Sequence, residues 1–134
     1  MATLEQQRAA FALERVELVR DDERRNNAKY KTQLLKLPAR LHNNGLGQTA
    51  AYLLAQKNGS PEKQVYDWLE TWLCSDDRHV YPAGTQLIKC ITGNAEGLQA
   101  ADVEPRYRRA SAETRALAVW LKRFAEAFLE GDAE

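Results

Sequence analysis

Residues 44–56 read NGLGQTAAYLLAQ, and the interpretation of this stretch decides the fold. Gly45, Gly47 and Ala50 match the spacing G-x-G-x-x-A, which opens the phosphate-binding turn of a dinucleotide fold. That turn needs a buried strand before it, yet the preceding residues KLPARLHNN contain a proline and several polar or charged groups. We therefore interpret the glycines as a tight, closely packed turn that leads into an apolar core helix. The two polar residues after Gly47 leave a ligand at this helix start as an open alternative.

The amino-acid composition favours an all-α fold. Alanine and leucine supply 37 of the 134 residues, whereas valine and isoleucine supply 8. Because Ala and Leu lose little rotamer freedom in a helix and strands favour β-branched side chains, we expect a compact bundle of five or six helices. The length suits a single helical domain over residues 1–134. No apolar run approaches the ~18 residues of a membrane span and no signal-peptide core is present, so we expect a cytoplasmic protein.

Helix-boundary signals place the first elements. Thr3 and Gln6 form a capping box, which predicts a first helix that runs to about Lys29. A shorter helix is expected over residues 30–37, and Pro38 should end it or open the next turn, because proline disfavours helical geometry in the residue before it. A loop at 42–44 then precedes the glycine turn.

Similar signals place the later elements. Ser60 followed by Pro61 predicts a helix start, and the apolar stripe of this helix comprises Val65, Trp68, Leu69, Trp72 and Leu73. Asp76 and Asp77 should break that helix, and a short helix is expected over residues 85–92. The final helix should begin at Pro105 or Ser111 and end at Gly131, with an apolar side formed by Leu117, Trp120, Leu121, Phe124 and Phe128.

The cysteines and histidines do not suggest a catalytic or metal site. Cys74 and Cys90 lie sixteen positions apart without a CxxC pattern, which is typical of reduced thiols in an intracellular protein. His42 and His79 fall in loop-like segments far apart in sequence, so surface positions are expected for both. We therefore expect no metal, no cofactor, no small-molecule substrate and no enzymatic activity.

The charged residues are unevenly distributed in a chain of zero formal net charge. Residues 24–61 carry seven bases and no acid, whereas residues 62–104 carry eight acids and three bases. Such a stretch favours contact with phosphates, or stacking of basic on acidic regions between copies of the chain. Tyr30 and Tyr107 are flanked by lysine or arginine, so each is either a platform for nucleic-acid bases or part of a solvated helix face.

Three blocks of the sequence resemble the small subunit of type III-B CRISPR effector complexes, the Cmr family. The blocks are TLEQQRAAFAL at 3–13, NGLGQTAAYLLAQ at 44–56 and TRALAVWLKRFAEAFL at 114–129. The resemblance implies a small all-helical protein without catalytic activity, several copies of which stack beside backbone subunits that hold the guide RNA. It also implies that these copies line the groove of the target RNA, so the expected partners are other Cmr subunits, guide RNA and target RNA, with no membrane.

Charge clustering alone suggests which residues face the RNA. We expect a basic surface made of Arg24, Arg25, Lys29, Lys31, Lys36 and Arg40, extended by Arg106, Arg108 and Arg109. On a helix, Arg25, Lys29 and Lys36 would fall on nearly one side. The alternative is a helical protein–protein adaptor with no direct nucleic-acid contact. A helix-turn-helix DNA regulator has little support, because residues 46–56 after the turn carry no charge.

Overall fold

Helices form all the regular secondary structure in residues 2–75 and 80–131, the part of the chain that the computed structural model describes. The elements are α1 (Leu4–Asp21), α2 (Asn27–Leu54), α3 (Pro61–Leu73), α4 (Leu87–Ile91), a short 3₁₀ turn (Ala100–Asp102) and α5 (Val103–Phe128). The prediction of an all-α fold is confirmed. The expected helix break at Asp76 and Asp77, and the surface position expected for His79, lie outside the described residues.

Helix α1 begins where the capping box predicts and ends earlier than expected. The Thr3 hydroxyl accepts a hydrogen bond from the Gln6 amide at 3.1 Å, and the Gln6 side chain accepts one from the Thr3 amide at 2.8 Å. The helix stops at Asp21 rather than near Lys29. Asp22 adopts an extended conformation and its carboxylate accepts from the Arg24 amide at 3.0 Å, so a local side-chain turn replaces the next helical bond.

Helix α2 continues through Pro38, so the predicted end at this residue is wrong. Proline removes the hydrogen bond to the Leu34 carbonyl, but burial of an apolar face at helical spacing on both sides of it keeps the segment helical. That face comprises Tyr30, Leu34, Leu37 and Leu41, each 5% exposed or less. Residues 42–44, expected as a loop, are helical as well, and the chain kinks at Gly45.

The chain divides into two compact units. The first unit comprises residues 1–42 and 115–134, and the second comprises residues 43–114. The prediction of a single domain stays a prediction. The core of the first unit includes the buried α2 face together with Ala12, Val16, Val19, Leu117, Ala118, Leu121, Ala125 and Leu129.

The second unit is centred on α3. Ser60 caps this helix by accepting from the Lys63 amide at 3.2 Å, and Pro61 occupies its first turn, as predicted. The predicted apolar stripe of α3 is buried throughout. This helix also holds the start of α4: the Glu70 carboxylate accepts from the Leu87 amide at 2.9 Å, in place of a side-chain cap from Gln86.

Helix α5 begins at Val103, before either predicted start. Pro105 fits in its first turn, where an amide hydrogen would find no partner within the helix. The predicted apolar side is only partly buried: Leu117 and Leu121 are fully buried, whereas Phe128 is 39% exposed. Trp120, expected in the core, is half-buried, and its indole N–H donates to the Glu5 carboxylate.

Candidate nucleic-acid interface

Helix α2 carries a basic stripe about 110° around its axis from the buried leucines. Lys29, Gln33, Lys36 and Arg40 follow one another at intervals of four, three and four residues, which aligns them along one side of a helix. Lys29 and Lys36 are exposed, and the Arg40 guanidinium donates to the Gln33 side chain. We call Lys29, Lys36 and Arg40 the α2 stripe.

The two lysines of the α2 stripe carry charge that nearby residues do not neutralise. Neither ammonium group forms an ion pair or hydrogen bond with any residue in the described ranges. The sequence between 24 and 61 also contains no carboxylate that could occupy the neighbouring turns. Such a row of solvated cations on a rigid helix is suited to contacts with phosphates at regular intervals.

Arg24 and Arg25 lie before α2, in the turn that follows α1. Both guanidinium groups pair with Asp22, at 3.2 and 3.3 Å. The hydrogen bond from the Arg24 side chain is the main reason that the pKa of the Asp22 carboxyl lies below its usual value. The expected alignment of Arg25 with Lys29 and Lys36 on one helix is therefore wrong, and part of the positive charge of this turn is neutralised by Asp22.

Lys31 points away from the α2 stripe, two residues after Lys29 and so about 200° around the helix. Its ammonium group donates to the Gly131 carbonyl at 3.1 Å. This contact ties the segment after α5 to the first turns of α2 within the first unit. Lys31 thus has a structural partner that a phosphate would have to displace.

The three arginines near the start of α5 belong to the second unit and differ in their surroundings. Arg106 is half-buried and donates to the Val80 carbonyl at 2.9 Å. Arg108 lies 3.9 Å from the Glu104 carboxylate, and both side chains are exposed. Arg109 is exposed and has no partner among the residues that the structure describes. Of the three, Arg109 is the most available for a phosphate.

The two tyrosines flanked by bases do not offer open aromatic faces. Tyr30 is 5% exposed, so neither the base-stacking platform nor the solvated-face alternative is correct for it, and this burial raises the pKa of its hydroxyl. The Tyr107 hydroxyl accepts a hydrogen bond from the Gly47 amide at 2.9 Å, which fixes its half-buried ring beside the glycine turn.

That contact explains the glycine motif. Gly45 has φ 79° and ψ 168°, a conformation accessible almost only to glycine. A Cβ atom on Gly47 would lie 3.3 Å from the Tyr107 hydroxyl and 3.5 Å from Ile91. Helix rather than strand precedes the turn, so a dinucleotide site is excluded and the packing turn is confirmed. Of the polar pair after Gly47, Thr49 is buried and Gln48 exposed.

The remaining polar candidates are the two cysteines and, of the two histidines, the one that the structure describes. Cys74 and Cys90 are unpaired, as expected, and both are buried, while His42 is exposed, as expected. Within the described ranges, no three His, Cys, Asp or Glu side chains are grouped so that they could hold a metal ion. None of the described helices combines the length and apolar character that a membrane span requires.

An apolar groove in the first unit has no counterpart in the sequence predictions. It has a volume of about 450 Å³ and is lined by Glu5, Ala116, Val119, Trp120 and Arg123. Val119 is 49% exposed. The only trace of this groove in the sequence is Val119, which lies beside the apolar stripe of α5 rather than within it. Single exposed apolar residues are too common on protein surfaces to predict a groove.

Comparisons with known proteins assign the family. The model of the family described as CRISPR-associated protein (Cas_Cmr5) matches residues 4–128. The chain belongs to the Cmr5 family. A crystal structure of a CRISPR-associated Cmr5 family protein from Thermus thermophilus has the same fold, with a TM-score of 0.72 and 27% identity over 97% of this chain and 100% of that chain. No curated protein matches the sequence.

Membership of the Cmr5 family confirms the resemblance seen in the three sequence blocks. The chain is thus a small subunit of the type III-B CRISPR (Cmr) effector complex, and this membership implies association with other Cmr subunits. The match also covers the sequence of residues 76–104, for which the sequence alone suggested no family.

Proposed function

We propose that this Cmr5 family member is a non-catalytic subunit that stacks in several copies beside the backbone subunits and lines the groove of the guide–target RNA duplex. It acts as one helical domain, in the cytoplasm, and contacts RNA through the α2 stripe. Base pairing supplies the sequence specificity of such a complex, while the protein contributes shape and positive charge. Phosphate contacts of this kind position the duplex without reading its bases.

The observation that supports this proposal best is the exposed pair Lys29 and Lys36. Their side chains leave an exposed side of a helix that is anchored by its buried leucines, so their backbone positions are fixed, and their ammonium groups have no carboxylate partner among the described residues. Arg40 extends the stripe by one turn. Arg109 and the partly neutralised Arg24 and Arg25 are secondary candidates, whereas Lys31 and Arg106 already donate to carbonyl groups.

A double charge reversal tests the role of the α2 stripe. Lys29→Glu with Lys36→Glu should weaken retention of target RNA by the assembled complex and leave the fold intact. If both lysines contact phosphates, the slope of log K against log salt should fall in magnitude by about 1 to 2. The measurement is a salt-titrated binding assay with single-stranded RNA, duplex RNA and duplex DNA, on the isolated protein and on the complex.

The matched control reverses two other exposed lysines, Lys57→Glu with Lys89→Glu, which changes the net charge by the same amount. This variant should retain RNA more strongly than the stripe variant. Equal losses in the two variants would mean that only net charge matters. Unchanged retention in the stripe variant, with circular dichroism showing a normal helical content, would place the RNA surface elsewhere.

The apolar groove at Val119 and Trp120 favours the alternative function, a protein–protein adaptor with no direct nucleic-acid contact. A purely structural subunit would use such a groove for protein contacts and would leave the α2 stripe in solvent. Val119→Glu should then abolish association with the other subunits, and the stripe variant should behave as the wild type. Because apolar contacts are insensitive to salt, association through this groove should persist at salt concentrations that dissociate RNA.

A further inference from the structure

The two buried cysteines lie together in the second unit. Cys74 follows the last residue of α3, and Cys90 lies in α4. The Cys90 thiol donates to the Thr85 hydroxyl at 3.1 Å. The Gly84 amide, next to Thr85 in the chain, donates to the Cys74 carbonyl at 3.3 Å. Residues 84 and 85 therefore bring the two cysteines close together, although the sequence separates them by sixteen positions. Burial, and to a lesser extent the electrostatic influence of Cys90, raises the pKa of the Cys74 thiol.

Tyr81 lies in the same part of the unit, since its amide donates to the carbonyl of Leu73, the residue before Cys74, at 3.1 Å. Tyr81 is 1% exposed, and its hydroxyl has no hydrogen-bond partner among the described residues. Burial is the main reason that the pKa of this hydroxyl is raised, and the electrostatic influence of both Cys90 and Cys74 adds to it. The phenol thus stays protonated at neutral pH and available as a donor. A buried polar atom without a partner is unfavourable and points to a further group that it can bind.

We propose that Cys74 and Cys90 form an oxidisable dithiol, in which peroxide converts the pair into an intramolecular disulfide. Cys74, which retains 8% exposure against 0% for Cys90, is the thiol that peroxide reaches first. Its sulfur attacks one peroxide oxygen, the O–O bond breaks, and a sulfenic acid and water result. The Cys90 sulfur then displaces that oxygen as a second water, so that two thiols lose two electrons and two protons to one peroxide. The Tyr81 phenol donates to the sulfenic oxygen.

The surroundings of the pair make this reaction slow. Burial raises the pKa of the Cys74 thiol to about 12, so little thiolate is present at neutral pH, and the thiolate is the nucleophile. The position of Cys74 after the last turn of α3 adds the negative end of a helix dipole. The pair therefore remains reduced in a reducing cytosol and responds to sustained oxidant rather than to brief exposure.

The test uses the full-length protein treated with hydrogen peroxide under native conditions, then denatured and alkylated. We expect an intact mass lower by two hydrogen atoms, no alkylation at either cysteine, a Cys74–Cys90 peptide on digestion, and reversal by a thiol reductant. A bond that closes a loop of about 15 residues should raise Tm by about 10 °C. Two alkylatable thiols after prolonged treatment, or products limited to sulfinic acid and intermolecular dimers, would overturn the proposal.

Two variants assign the roles. Cys90→Ser should stop at the sulfenic acid, which dimedone traps on Cys74; trapping mainly on Cys90 in the Cys74→Ser variant would reverse the order of attack. Tyr81→Phe removes only the hydroxyl and should slow disulfide formation several-fold at unchanged helical content. An unchanged rate would remove the phenol from the reaction. The wild-type mass measurement decides the existence of the disulfide even where a variant fails to fold.

Discussion

Replacement of Gly47 by alanine is the perturbation that best tests the packing turn. The added Cβ atom would lie 3.3 Å from the Tyr107 hydroxyl oxygen and 3.5 Å from a methyl group of Ile91. The second distance is an ordinary contact, whereas the first is too short for the tyrosine to stay in place. The Gly47 amide also donates to this hydroxyl at 2.9 Å, so the same oxygen atom caps the helical segment that follows the kink.

The expected size of the effect follows from three opposing contributions. Alanine in place of glycine favours a helix by about 1 kcal/mol. Displacement of the Tyr107 ring by a few tenths of an ångström costs about 1–2 kcal/mol, and the weakened hydrogen bond adds about 1 kcal/mol. Gly47→Ala should therefore lower the free energy of unfolding by about 1–2 kcal/mol. At an exposed position inside a helix, the same substitution would instead raise it.

A double-mutant cycle with Tyr107→Phe isolates the contact. The single change at Tyr107 should lower the free energy of unfolding by about 1 kcal/mol, because the Gly47 amide loses its acceptor. With the hydroxyl gone, alanine at 47 meets no short contact and should stabilise the protein by about 0.5–1 kcal/mol. The coupling energy is then about 2 kcal/mol, measurable by denaturant unfolding of all four proteins. Additivity within about 0.5 kcal/mol would refute the contact.

Three further predictions concern the second unit, residues 43–114. Gly45→Ala should lower stability by about 2 kcal/mol, because alanine rarely adopts φ 79° with ψ 168°; an unchanged Tm would contradict this conformation. Ser60→Ala should cost about 1 kcal/mol in thermal unfolding through loss of the cap on the Lys63 amide, whereas Ser60→Asp should restore most of it. The pKa values of Tyr66 and Cys74 are both raised to about 12 in the fold. These groups ionise first in the unfolded chain, so stability should be intact below pH ~9 and fall as pH rises toward 12, whereas a flat alkaline profile in denaturant unfolding would contradict their burial.

Helix boundaries that depend on local side-chain chemistry could be predicted from the sequence. The Thr3 capping box and the Ser60–Pro61 start are complete within four residues, and both occur as expected. The apolar stripe of α3 is also a local pattern, since spacing of three and four residues places it on one face. Predictions of this kind need no knowledge of what the helix packs against.

Boundaries that depend on tertiary burial could not be predicted in the same way. Pro38 signals a helix end locally, but Leu34, Leu37 and Leu41 are buried on one face and hold α2 together across it. The converse holds at Asp22, where a residue within an otherwise helical pattern ends α1 through its own side chain. Proline inside a helix costs about 3 kcal/mol, which burial of a few leucines offsets, and the Asp22 turn depends on one hydrogen bond, so the sequence pattern alone decides neither outcome.

For the candidate interface, the sequence shows where the basic residues cluster, and the structure shows which of them already have partners. Clustering of bases between 24 and 61 is visible in the sequence, but it does not distinguish cations with partners from cations without them. The Asp22 carboxylate lies outside the acid-free stretch and still neutralises part of it, and the Gly131 carbonyl, one hundred positions away, takes up Lys31. Geometry reduces nine candidate residues to a small set led by Lys29 and Lys36.

The fold and the proposed interface depend on one another through α2. Burial of Leu34, Leu37 and Leu41 fixes the rotation of this helix, and that rotation leaves Lys29 and Lys36 on a neighbouring, exposed side. A sequence change in the buried face would therefore also displace the two ammonium groups, even though the changed residue does not itself contact RNA. Leu34→Ala should on this reasoning weaken both stability and RNA retention, whereas charge reversal at Lys29 and Lys36 should affect retention alone. Retention that survives partial unfolding of α2 would separate the two properties and refute the link.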